Sequence, residues 1–152
     1  METLRESVMT INRGMIVHRV DTNIKANKSH SKKLRHKFPK SFQAYRRATR
    51  NEEEPLKLGD IQIIPITYHL WLCNIADRED GVVDYNAVKK AYKELKEWND
   101  KDYNLPVFLN YLEDEVGYDQ EKYLSIVSDI IEGLYVCDDR VEDIDMTNYF
   151  FS

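Results

Sequence analysis

The side chains best suited to chemistry lie in one interval, His18, Asp21, Asn23, Lys25 and Lys28. It begins in the apolar segment Met15-Ile16-Val17-His18-Arg19-Val20 and ends at Leu34-Arg35-His36-Lys37-Phe38-Pro39. A strand feeding a polar loop and then a helix presents backbone N–H groups to a phosphate. Glycine normally lets the backbone approach that closely. Residues Thr22 to Ser31 include no glycine, so Asn23 to His30 put side chains wherever an approaching pyrophosphate would need bare backbone. Lys25 and Lys28 supply positive charge there, but a lysine point charge does not replace a row of backbone donors. Asn74 lies near the end of a second apolar run, His69 to Ile75, and the end of a strand in an α/β sheet is where ligands bind. An asparagine there equally well closes a turn. Asp119 opens a helical segment, the place of a capping residue, and His18 within an apolar strand reads as a hydrogen-bonded structural residue. The chain holds no Ser-His-Asp set, no metal-ligand spacing and no phosphate-loop motif.

These residues need a scaffold, and periodicity predicts one. Val8 to Ile11 is expected as a short strand, Asn12 to Gly14 as a turn and Met15 to Val20 as a strand. Helical spacing covers Ser31 to Phe38, and Pro39 opens a second helix that continues through Arg47. Ile61 to Ile66 and His69 to Ile75 read as paired strands around Thr67-Tyr68. Asp84 to Trp98 is the strongest helix, with Val88, Ala91, Tyr92 and Leu95 at core spacing. A strand at Leu105 to Leu109, an acidic loop, a helix over Asp119 to Glu132 and a strand at Leu134 to Cys137 complete the pattern. Alternating strands and helices predict a three-layer α/β/α fold with a mixed central sheet. The expected division is a domain over 1–137 and an acidic, aromatic tail over 138–152.

Composition narrows the class. The chain has 152 residues, 42% hydrophobic and 32% charged, and no apolar run reaches the roughly 20 residues of a membrane span. No secretory signal opens it, so the cytosol is the expected compartment and no membrane partner is expected. Cys73 and Cys137 each sit in an apolar run, which predicts buried, reduced thiols. The formal net charge of −5 conceals a split: residues 1–52 carry 13 Lys and Arg against 4 Asp and Glu, and residues 53–152 carry 9 against 23. From residue 110 onward there are 12 acids and 2 bases. A split of this kind marks a basic face for phosphate and an acidic face for a basic partner; separately solvated faces explain it equally well.

Taken in order, these segments resemble a macro domain of the short stand-alone kind found in bacteria and phages. The interval from His18 to Phe38 has the length and register of that family's strand, glycine loop, helix and Lys-Phe-Pro. Leu58-Gly59-Asp60-Ile61 resembles the family's Gly-Asp-Ile strand, Cys73-Asn74-Ile75-Ala76-Asp77 its Ala-Asn-Leu-Phe-Gly strand end, and Val83-Asp84-Tyr85 its Thr-Asp-Tyr helix start. Val107 to Tyr111, followed by Gly117-Tyr118-Asp119, resembles its late strand, second glycine loop and Gly-Gly-Asp-Trp. The resemblance implies the macro fold and ADP-ribose, or a derivative, as ancestral ligand. It also implies a pocket built from Asp21, Asn23, Lys25, Lys28, Asn74 and Gly117, with His18 placed to act on a ribose and Asp119 at the position of an acid/base residue in hydrolytic members.

The departures fall at that pocket. Asp21 replaces the family's asparagine, both glycine loops are degenerate, and the acids Glu113, Asp114 and Glu115 would repel a diphosphate. The expected function is therefore a non-catalytic binding module without a cofactor, acting on a protein partner through its acidic half and tail. An ADP-ribose-derivative binder, or a hydrolase or phosphatase acting on such a derivative, is the alternative. Weak nucleic-acid binding through Lys25 to Lys37 is the third reading.

Overall fold

The computed structural model describes residues 1–27, 32–110 and 119–138. In chain order the described elements are β1 (Glu2–Leu4), β2 (Gly14–Asp21), α1 (Lys32–Lys37), α2 (Pro39–Thr49), β3 (Ile61–Pro65), β4 (Leu70–Glu79), β5 (Val82–Val83), α3 (Tyr85–Asp102), β6 (Val107–Asn110), α4 (Gln120–Ile130) and β7 (Tyr135–Cys137). Short 3-10 turns lie at Val8–Thr10 and Ile24–Ala26.

The strands form one mixed sheet in the order β1-β7-β6-β2-β4-β3, with β5 paired to β4. Neighbours from β1 to β4 in that order run parallel, while β3 and β5 run antiparallel to β4. Near-continuous apolar strands belong in a parallel sheet covered on both faces, and all of β2 is buried. Pro65, which cannot donate to a ladder, sits on the edge strand β3.

Alternation along each strand sorts the core into two layers. Met15, Val17, Cys73, Ile75, Val107, Leu109 and Val136 pack with Val88, Ala91, Tyr92 and Leu95 of α3 and Tyr123 and Val127 of α4. Their alternates Ile16, Leu70, Leu72, Phe108 and Cys137 pack with Val8, Ile11, Leu34 and Phe38. Val20 and Ala76 extend this side with Tyr45 of α2 and Leu56. The expected three-layer arrangement follows from these contacts. Both cysteines are free and buried; they lie in opposite core layers, on strands separated by β6 and β2, so no disulfide can join them. Gly14 has φ +116°, and a Cβ there would stand 2.7 Å from the Pro106 carbonyl oxygen, so only glycine lets β2 start beside the entry to β6.

Several elements differ from the sequence expectation. Val8 to Ile11 is not a strand. Ser7 caps a 3-10 turn by accepting the Met9 N–H, and the three-residue spacing of Val8 and Ile11 turns both into one core cluster. Strand β1 carries no alternation signal because Glu2 and Thr3 are exposed, yet it pairs with β7. Strand β4 runs on to Glu79 because Asp77 and Arg78, which read as loop residues, are buried. The acidic loop at 111–118, most of the tail, and the Lys28 and Gly117 positions lie outside the described residues.

Candidate functional site

The parallel strands β2 and β4 end side by side, and there Asp21 holds the centre. Its carboxylate is fully buried. One oxygen accepts the backbone N–H groups of Asn23 at 2.8 Å and Asp80 at 3.0 Å, and the other accepts that of Gly81 at 2.7 Å. The Arg78 guanidinium stands 4.0 Å away, and the Tyr45 hydroxyl donates to the Asp21 carbonyl at 2.5 Å. Burial, reinforced by the Asp21 charge, raises the Tyr45 phenol well above its ordinary value. Asn23 continues the network: its amide donates to Asp80 at 2.6 Å and its oxygen accepts the Lys25 N–H at 3.1 Å. Asn27 accepts the Asp21 N–H at 3.2 Å and an Arg78 N–H at 3.3 Å. Asp21, Asn23 and Lys25 thus come together as a closed turn, with Lys25 exposed. Beside it lies a cavity of about 460 Å³ whose walls include Thr22, Asn23, Leu56, Lys57, Glu79 and Asp80. Two carboxylates against one lysine make that cavity unwelcoming to an anion.

Beneath this turn, on the α2 side of the sheet, His18 and Asn74 sit directly opposite each other in the β2–β4 register. Asn74 is 1% exposed. Its oxygen lies 3.2 Å from His18 Nδ1 and accepts the Ser41 hydroxyl at 3.0 Å. Its amide donates to the Ser41 carbonyl at 3.0 Å and to Gln62 at 3.1 Å. An asparagine offers two donors and an oxygen with two lone pairs, and here all are engaged within the protein. Asn74 thereby ties β4 to α2 and β3.

On the opposite side of the sheet a buried charged cluster occupies the equivalent depth. Arg19 donates to Asp77 at 2.5 Å, the Tyr123 hydroxyl donates to the same oxygen at 2.6 Å, and the Tyr92 and Tyr123 hydroxyls are 2.9 Å apart. The Arg19 guanidinium also lies over the Tyr123 ring, 4.6 Å from its centre. Burial is the leading cause that lifts both phenols, and the Asp77 charge adds to it. These phenols hold their protons at neutral pH and serve as donors. A register shift between Val20 and Asp21 sets Asp21 opposite Arg78 and leaves Asp77 as the extra residue. Arg19, Asp77, Arg78, Tyr92 and Tyr123 were not among the sequence candidates. The signal was present as charged residues inside otherwise apolar strand patterns.

Asp119 stands apart from all three groups. It is exposed, precedes α4, and its side chain accepts the Lys122 N–H at 3.1 Å. Its own N–H donates to the Tyr85 hydroxyl at 3.0 Å. Among the described residues, no contact joins it to Asp21, His18 or Asn74.

No family model matches the sequence, and no curated protein matches it. Solved structures do. A macrodomain protein from Streptomyces coelicolor superimposes with a TM-score of 0.76 at 18% identity, covering 90% of this chain and 97% of that one. The macrodomain of Thermus aquaticus DarG gives 0.69 at 16%, covering 90% and 95%. Thermosipho africanus DarTG, solved in complex with ADP-ribose, gives 0.71 at 10%, covering 89% of this chain and 40% of that one. At such identities the likeness is one of fold: this chain has the macrodomain fold.

Proposed function

We propose that this chain is a non-catalytic binding module on a macrodomain scaffold, with its ligand cleft remodelled and its work done through contacts with another protein. The observation that carries the reading is the Asp21 carboxylate, which takes the N–H groups of Asn23, Asp80 and Gly81 at the strand ends. Backbone donors at such a place are what an anionic ligand would need. An internal anion uses them first. The inward commitment of Asn74 and the carboxylate-lined cavity support the same conclusion. The excess of acid beyond residue 110 favours a partner with a basic surface. A small inhibitor or decoy of the phage type, directed at a host system, is the role such a module fits.

Isothermal titration with ADP-ribose tests the cleft. No heat is expected at millimolar ligand, and binding in the micromolar range would overturn the reading. Affinity capture with the intact chain and with a chain lacking residues 139–152 tests the protein contact; equal recovery of a partner by both would remove the tail from the interface.

One observation favours a second reading, binding or hydrolysis of an ADP-ribose derivative with Asp119 as acid/base. The fold is shared with a protein solved with ADP-ribose bound. The same titration separates the two.

A further inference from the structure

From Thr22 through Asn51 the chain contains no aspartate or glutamate. That stretch builds α1 and α2, the two helices that cover one face of the sheet. Lys32, Lys33, Lys40, Arg46, Arg47 and Arg50 are all exposed there, and among the described residues none of the six enters an ion pair. The outer face of α2 reads Gln43, Arg46, Arg47, Arg50, at helical spacing opposite the inward residues Ser41 and Tyr45. With Asn51 it borders a concavity of about 550 Å³. Cations in a last helical turn also complement the helix dipole. That explanation covers the last turns, Arg35 to Lys37 in α1 and Arg46 and Arg47 in α2, but it leaves Lys32, Lys33 and Lys40 at helix starts, where it calls for acids and neither helix has any. Protein surfaces ordinarily intersperse both signs, so the absence of carboxylates from both helices, up to the exposed Glu52 to Glu54 just beyond the end of α2, needs another cause.

We propose that the α1–α2 layer docks on the phosphate backbone of duplex nucleic acid. Clustered cations meet the sequence-independent part of such binding without base contacts. The 11 residues of α2 span about 16 Å, and a duplex carries one charge per roughly 1.7 Å of axis, so several phosphates lie within reach of this one helix. Single-strand binders add aromatic platforms on which bases stack. Among the described residues this layer presents no open Phe, Tyr or Trp ring: Phe38 and Tyr45 are buried, and Arg35 covers Phe42 at 4.0 Å from its ring centre. The proposal is independent of the cleft, which opens at the strand ends.

Fluorescence anisotropy of the intact chain with a labelled duplex of about 20 base pairs, titrated at 50, 100 and 200 mM salt, tests it. With about five phosphates neutralised, log K should fall against log salt with a slope near −4 to −5. The triple variant R46Q/R47Q/R50Q should weaken binding at least tenfold at 50 mM salt and reduce the slope by about 2 to 3. Removing the same charge from the other layer, as K89Q/K93Q/K101Q, should change affinity less than twofold. All six positions are exposed, so thermal midpoints should match the parent; the single R50E variant repeats the test if the triple one melts early. Equal losses in both triple variants, salt-independent binding, or tighter binding to a single strand of the same length would each overturn the proposal. Displacement by inorganic phosphate at constant ionic strength would overturn it in favour of a small-anion site.

Discussion

At the scale of single residues, this protein spends its most reactive-looking groups on itself. Three backbone donors around the Asp21 carboxylate make it a structural anion, because a buried charge is tolerable only when hydrogen-bonded. Replacing one oxygen by an amide turns an acceptor into a donor aimed at another donor. Asp21→Asn should therefore cost about 2 to 3 kcal/mol, hydrogen bonds to charged groups being the strong ones. In urea denaturation this is a fall in midpoint of roughly 1 M. An unchanged midpoint would mean that the carboxylate is free to serve a ligand.

At the scale of elements, caps decide where the two long helices on the far face begin. Asp84 accepts the N–H groups of Asn86 and Ala87 at the start of α3, and Asp119 accepts that of Lys122 at the start of α4. Loss of a cap costs about 1 kcal/mol, and asparagine caps as well as aspartate. Asp119→Ala should lower stability by about 1 kcal/mol while Asp119→Asn leaves it nearly unchanged. Chemical denaturation of the pair checks this. Any turnover of an ADP-ribose derivative that Asp119→Asn abolishes would instead give this residue a catalytic role.

At the scale of the whole molecule, the buried phenols and thiols make stability depend on alkaline pH. Burial raises Tyr45, Tyr92, Tyr123 and Cys73, and pushes the Cys137 thiol up to about 11. A folded pKa above the unfolded one favours the folded state fully below the unfolded value, and that contribution is lost as pH rises. The unfolded thiols release their protons near 8.5 and the phenols near 10. The melting temperature should therefore decline steadily from about pH 9 to 11, and a flat profile there would contradict the buried network. The same burial keeps both thiols unreactive toward a disulfide reagent until the chain is unfolded.

Much of the scaffold was legible in the sequence because its signals are local. Short apolar runs placed β2, β3, β4, β6 and β7 within a few residues, Pro39 marked the start of α2, and the spacing of Val88, Ala91, Tyr92 and Leu95 announced the buried face of α3. The missing glycines of the Thr22 to Ser31 loop were equally plain. The partners of the buried polar groups were not. Asp21 meets Asp80 and Gly81 across 59 and 60 residues, Asn74 meets Ser41 across 33, and Arg19 meets Asp77 across 58. Periodicity reports which face of an element is apolar, but the identity of a facing residue depends on strand register, and here a shift at Val20/Asp21 sets it. The sequence by itself determined the layers and a loop after β2 without glycine; the tertiary structure alone decided that the carboxylate at the end of β2 would be bound by the protein's own backbone.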